Sequence, residues 1–198
     1  MVATSPYRVA VVNMSISGSG VSRSNLTFVN KVAALNNAVW TPTYGWVYPK
    51  IFFVQAAGNT QVDAYDAAYS PPSLTASPND GVMVVGAHDR FCGISGFFNN
   101  GALAGSEPGS NVGVCIDVFA PGTDIWSAWS DVSYPQKGNG TIYNNYGRLS
   151  GTSMAAPHIA GVAAWLAETY NPSSVGALET LVRSYIVAGS NPQRVRLP

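Results

Sequence analysis

Gly151-Thr152-Ser153-Met154-Ala155-Ala156-Pro157-His158-Ile159-Ala160-Gly161 heads an apolar, alanine-rich segment that runs to Tyr170. Within it Ile159, Val162, Ala163 and Leu166 fall at i, i+3, i+4 and i+7, the spacing of one helix face. The pattern predicts a helix whose N-terminus lies at or near Ser153. The first amides of a helix lack intrahelical acceptors, and the aligned peptide dipoles favour negative charge there. A serine in that place suits attack on a carbonyl, because the resulting oxyanion lies beside those amides. Gly151 permits close backbone approach. Pro157 is read as lying within the first turn, where a missing N–H costs little. Taken locally, the same residues also fit an alanine-rich core helix capped by Thr152 or Ser153.

Working outward, Val9 to Ser15 is an apolar, β-branched run read as a buried strand, broken by Ser17-Gly18-Ser19-Gly20. Asn25 then suits the cap of a helix with Phe28, Val32, Leu35 and Val39 on its apolar face, and Thr41 to Lys50 reads as loop. Ile51 to Gln55 is a second buried strand, running into Ala56-Ala57-Gly58-Asn59. Val82 to Gly86 is a third. Cys115 to Phe119 is a fourth, stopped by Ala120-Pro121-Gly122. Gly93 to Gly113 and Asp131 to Arg148 read as loops. Beyond Asn171-Pro172 a last amphipathic helix carries Val175, Leu178, Leu181, Val182 and Ile186. The tail from Gly189 to Pro198 has no pattern. Continuous apolar strands alternating with helices predict an α/β fold, a three-layer sandwich with a mostly parallel sheet flanked by helices. In such sheets the site collects at the carboxyl ends of the strands.

The chain has 198 residues, enough for one domain, with 46% hydrophobic and only 10% charged residues, which argues against disorder. Its net charge of zero gives no reason to expect nucleic acid or an anionic membrane surface as partner. No apolar run reaches the length of a membrane span. Met1 to Arg8 lacks the charged head and apolar middle of a signal peptide, so either the chain is not secreted as written or the signal lies on other sequence. Cys92 and Cys115 fit a disulfide and two buried thiols about equally well. Sequons stand at Asn25, Asn139 and Asn13, the last in what reads as a buried strand end.

The eleven residues from Gly151 to Gly161 resemble the nucleophile signature of the subtilisin-like serine proteases, the subtilases, and upstream segments resemble the same family in the right order. Val12-Asn13-Met14-Ser15-Ile16-Ser17-Gly18 looks like the strand that pairs with an extended substrate. Ala56-Ala57-Gly58-Asn59 looks like the opposite wall of the primary specificity pocket. The resemblance implies Ser153 as nucleophile and Asn59 as the side-chain donor to the oxyanion, with Ser15, Ile16, Ser17, Ala57 and Gly58 framing the pocket. Ser17 stands where the family usually has Gly. In subtilisin itself, loss of the Asn donor costs about 10²–10³ in turnover. Val84 to Arg90 and Asp117 to Ile125 resemble scaffold strands of the proteinase-K-like branch. In some members the Asp matching Asp117 binds a structural calcium with nearby carbonyls, here those of Asp80 and Val82. One carboxylate is a weak signal for that, and a hydrogen-bonded structural Asp is the favoured reading. No cofactor is required. The implied partners are polypeptide substrates, and secretion is the habit of the family.

A serine nucleophile needs a base and a carboxylate to orient it, and in subtilases these precede the serine in the order Asp, His, Ser. The chain has two histidines. His158 is five residues past Ser153 on one helix, rotated roughly 140° from it. His88 is adjacent to Asp89, but neighbours on an extended chain point to opposite faces. Neither suits the base. The resemblance, over about residues 8 to 188, is therefore expected to be to a single partial peptidase S8 domain, with the sheet incomplete on its N-terminal side. The Asp and His would lie on a missing N-terminal segment. Such a chain is expected to be aggregation-prone and inactive alone. A competing expectation is an inactive, subtilase-like peptide-binding protein. An α/β-hydrolase is disfavoured because Ala155 replaces the second Gly of the Gly-x-Ser-x-Gly elbow.

Overall fold

A computed structural model describes residues 9–16, 39–43, 45–47, 51–61, 81–96, 108–128, 146–187, 190, 192 and 194–195. Their strands are β1 (Ala10–Met14), β2 (Val39–Thr41), β3 (Gly45–Val47), β4 (Ile51–Ala56), β5 (Val82–His88), β6 (Val118–Pro121), β7 (Ile125–Ala128) and β8 (Tyr146–Leu149). Two helices follow, α1 (Thr152–Tyr170) and α2 (Val175–Ser184). Strands β1, β4, β5 and β6 form one parallel sheet in that order. The expected α/β architecture, a parallel sheet flanked by helices, is what the chain adopts.

Alternation along the strands divides the core. Phe52, Val54 and Ala56 of β4, with Met83, Val85 and Ala87 of β5, meet Ala155, Ala156, Ile159, Ala163 and Leu166 of α1 and Leu178 and Val182 of α2. The alanines on the buried face of α1 let its backbone come close to the sheet. Phe53, Ala57, Val82 and Val84 point to the other face and are also buried, so both faces of the sheet are covered. α1 ends where Asn171 takes a left-handed conformation and returns its N–H to the Ala167 carbonyl, before Pro172. α2 is capped by the Ser174 hydroxyl on the Ala177 N–H.

Several expectations need correction. β1 is half-buried, not buried. It is the outer strand among the described residues, Val12 is 36% exposed, and Asn13 with its sequon is exposed. Val39 opens a strand instead of closing a helix face, and β2 pairs antiparallel with β3 inside the stretch read as loop. The remainder of the Asn25 helix and the Asn139 sequon lie outside the described residues. Cys115 closes a turn that begins at Gly113, and the strand β6 starts only at Val118 and reaches Pro121. Tyr146–Leu149, read as loop, pairs with β7. Ile186 lies beyond α2, bridged to Val195, while Arg194 bridges Phe119, so part of the tail adds to the β6 side of the sheet. Cys92 and Cys115 are free thiols.

Leu166 is fully buried between α1 and the sheet. Leu166→Ala is expected to lower the unfolding free energy by about 2–5 kcal/mol in urea denaturation, through lost burial and the cavity left behind.

Candidate functional site

The helix N-terminus and the strand ends meet at one point. β1 delivers Ser15, β4 runs into Gly58 and Asn59, and the β7–β8 ladder brings Ser150 and Gly151 alongside Gly122. The Gly151 N–H donates to the Gly122 carbonyl at 2.8 Å, and the Asp124 N–H donates to Ser150 Oγ at 2.9 Å. A Cβ on Gly122 would lie 2.5 Å from the Ala87 Cβ and 2.8 Å from the Gly151 carbonyl oxygen, so only glycine fits. Gly151 is itself the N-cap of α1 at φ 156°, with no side-chain cap. Neither Thr152 nor Ser153 is the cap.

Thr152 instead locks the helix to β4. Its N–H and its hydroxyl both donate to Asn59 Oδ1, at 2.9 and 2.8 Å, and its Oγ1 accepts from the Gly58 N–H at 3.1 Å. With Oδ1 held from both sides, the Asn59 amide orientation is fixed, and its Nδ2 lies near Gly151, 3.5 Å from where a Cβ there would sit. The sequence pattern gives Thr152 no functional part. Its place one residue before Ser153 makes it the first helical position, where its N–H has no intrahelical acceptor and is free for Asn59.

The first turn of α1 has few free amides. Met154 and Ala155 direct theirs to the Gly151 carbonyl at 3.0 and 3.3 Å, and Thr152 gives its own to Asn59. That leaves the Ser153 N–H as the first-turn amide without an acceptor among the described residues. No acidic residue lies in that turn to offset the positive end of the helix dipole.

Ser15 and Ser153 are hydrogen-bonded reciprocally. Ser153 Oγ donates to the Ser15 carbonyl at 3.2 Å, and Ser15 Oγ donates to the Ser153 carbonyl at 2.8 Å. Asn13 Nδ2 supports the pair by donating to Ser15 Oγ at 3.0 Å. The Ser153 carbonyl is open to Ser15 because its helical partner would be the N–H of residue 157, which is proline. With the helix starting at Thr152, Pro157 lies beyond the first turn, so its missing N–H has this consequence.

The other residues singled out from sequence divide. Ile16 is 58% exposed next to Ser15. Gly58 is buried, and its carbonyl accepts from the Asn111 N–H at 2.9 Å. Ala57 turns its side chain inward against Val84 and Cys115, and its carbonyl accepts from Asn111 Nδ2 at 2.8 Å, so it lies beneath the wall. Ser17 lies outside the described residues. His158 engages the Met154 carbonyl of its own helix through Nδ1 at 2.9 Å, and His88 engages the Asp89 carbonyl at 2.8 Å. Neither histidine is bonded to Ser153.

Asp117 is a structural carboxylate. Its Oδ2 accepts from the Val84 N–H at 2.7 Å, and its Oδ1 is paired with Arg183 Nη2 at 2.6 Å. Burial pushes its carboxyl above the ordinary range, against the pull of Arg183 and the Val84 N–H. Burial pulls the Arg183 guanidinium down, but Asp117 and Glu179 outweigh it, and its pKa is raised. Among the described residues no cluster of three or more His, Cys, Asp or Glu is placed to hold a metal. Each oxygen of Asp117 thus has a hydrogen-bond partner within the chain, and Asp80 lies outside the described residues.

A hydroxyl, a helix-end amide and a clamped side-chain amide are gathered at the carboxyl ends of parallel strands, where α/β folds place their sites. A sequence profile of the subtilase family, peptidase S8, matches residues 1–193, and the chain belongs to that family. It is 32% identical over 188 residues to alkaline serine exoprotease A of Vibrio alginolyticus, covering 95% of this chain and 27% of that protein. It is 39% identical over 140 residues to the alkaline extracellular protease of Yarrowia lipolytica, covering 69% of this chain and 26% of the relative. Proteinase R of Parengyodontium album is 40% identical over 111 residues, 56% of this chain and 21% of that protein. The structure superposes on a cold-adapted subtilisin-like serine proteinase with a TM-score of 0.56 at 26% identity, covering 91% of this chain and 51% of the other. The chain thus spans about a quarter of the length of these curated relatives.

Thr152→Val removes the donor to Asn59 and the acceptor of the buried Gly58 N–H. It is expected to cost about 1–3 kcal/mol in urea denaturation, the penalty of a buried unsatisfied amide. Thr152→Ser, which keeps the hydroxyl, should recover most of the loss.

Proposed function

We propose that the protein hydrolyses peptide bonds with Ser153 as nucleophile, and that the Ser153 N–H and the Asn59 side-chain amide hold the oxyanion. The observation that carries this reading is the Thr152 lock, which fixes Asn59 beside the same helix end that leaves the Ser153 N–H without an acceptor. The substrate is an extended polypeptide lying along Ser15, Ile16 and Ser17, with Gly58 forming the facing wall over Ala57. Exposed Ile16 and the outer position of β1 among the described strands support strand addition as the binding mode. Extracellular action follows the name of the Yarrowia lipolytica relative.

The proton acceptor and its carboxylate are supplied by polypeptide other than these 198 residues. Both histidines are bonded to backbone carbonyls away from Ser153, and the Ser153 hydroxyl donates to a carbonyl, which accepts a hydrogen bond but takes no proton. Loss of the histidine of such a triad lowers turnover by about 10⁶. The 198-residue chain alone is therefore expected to hydrolyse a peptide nitroanilide no faster than its Ser153→Ala variant. Added imidazole, as an external base, should restore hydrolysis in the wild type and not in the variant. Imidazole-independent hydrolysis lost in Ser153→Ala would place the base within the chain. Hydrolysis that survives the substitution would remove Ser153 from the reaction. Peptide affinity with no imidazole-dependent turnover would instead favour a binding protein.

A further inference from the structure

In some relatives the Asp matching Asp117 binds calcium, and in this chain a guanidinium lies against that carboxylate. Arg183 spans two carboxylates. Its Nη2 lies 2.6 Å from Asp117 Oδ1 and 2.7 Å from Glu179 Oε1, and its Nε donates to the same Glu179 oxygen at 3.0 Å. The second oxygen of each carboxylate takes a backbone amide: Asp117 Oδ2 from Val84 at 2.7 Å, Glu179 Oε2 from Gly81 at 3.0 Å. All four carboxylate oxygens thus receive an N–H. The Gly81 carbonyl accepts from the Phe53 N–H at 2.8 Å.

Calcium needs six to eight oxygens at about 2.3–2.6 Å. On Asp117 it would have to share an oxygen with the guanidinium or with the Val84 N–H, and either way two cations would lie within a few ångström of each other. Glu179 is 1% exposed at its side chain, Asp117 13% and Arg183 27%, so water screens the group little. The group links three parts of the fold: α2, the start of β5, and the residue before β6. Glu179 precedes Arg183 by four residues and Arg183 lies in the last turn of α2, both favourable arrangements on a helix.

We propose that Arg183 is the resident cation of this corner, so that the joint between α2 and β5 is clamped by an internal guanidinium and takes no calcium at Asp117. The two forms of joint compete, because a doubly charged ion on Asp117 would lie beside the Arg183 guanidinium in a poorly screened corner.

The test is thermal melting of the 198-residue chain in millimolar calcium and in excess chelator, for the wild type and for Asp117→Asn, which is isosteric and keeps an acceptor for Val84. The change in melting temperature between the two conditions is expected to be the same in both proteins, whatever its size, since any calcium bound elsewhere affects both equally. A calcium-dependent rise present in the wild type and lost in Asp117→Asn would overturn the proposal. Arg183→Met should melt lower by roughly 4 °C or more, the shift that breaking one strong interaction gives in a domain of this size. Arg183→Met with an unchanged melting temperature would also overturn it.

Discussion

The N-terminus of α1 is held at the ends of two strands by hydrogen bonds that use groups a regular helix leaves unpaired. The Thr152 N–H, which has no intrahelical acceptor, goes to Asn59 at the end of β4. The Ser153 carbonyl, which lacks its helical donor because residue 157 is proline, goes to Ser15 at the end of β1. One orphan donor and one orphan acceptor thus set the position of the proposed nucleophile against both walls. The rest of the molecule serves this junction. The alanines of α1 bring it close to the sheet, and the β7–β8 ladder with Gly122 brings in the turn that starts the helix.

The same junction explains how chemistry would be divided. Oxyanion binding needs fixed dipoles that do not reorganise when charge develops. The clamped Asn59 and the helix-end amide are of that kind. Proton transfer needs a group that can change its charge, and both histidines are engaged with backbone carbonyls instead. The proposed oxyanion donors of Ser153 are thus built into this chain, and neither histidine of the chain is hydrogen-bonded to it. The Asp117–Arg183–Glu179 group shows the opposite use of charge. It has an N–H on every carboxylate oxygen and joins α2 to the sheet.

Much of this was legible in the sequence, for definite reasons. Apolar runs such as Ile51 to Gln55 and Val82 to Gly86 leave little choice but buried parallel strands, and the 3.6-residue period of Ile159, Val162, Ala163 and Leu166 gives the helix. Asn59 and Ser153 stand out because each follows or begins an element of strong pattern. What stayed hidden depends on partners distant in sequence. Tyr146–Leu149 is a strand only because Ile125–Ala128 lies beside it. β1 reads as buried because its composition is apolar, yet exposure is decided by how many strands flank it. Arg183 looks like a solvent-facing helix residue, since nothing local reveals a carboxylate 66 positions away. Pro157 is conspicuous, but its effect on the Ser153 carbonyl requires knowing where the helix begins.

The most direct test is covalent labelling of the chain by a fluorophosphonate, with the adduct located by mass spectrometry of proteolytic peptides. The adduct should fall on Ser153, form faster when imidazole is added, and form about 10²–10³ more slowly in Asn59→Ala under the same conditions. Labelling spread over other serines, or labelling of Ser153 at a rate that Asn59→Ala leaves unchanged, would contradict the assignment of nucleophile and oxyanion donor.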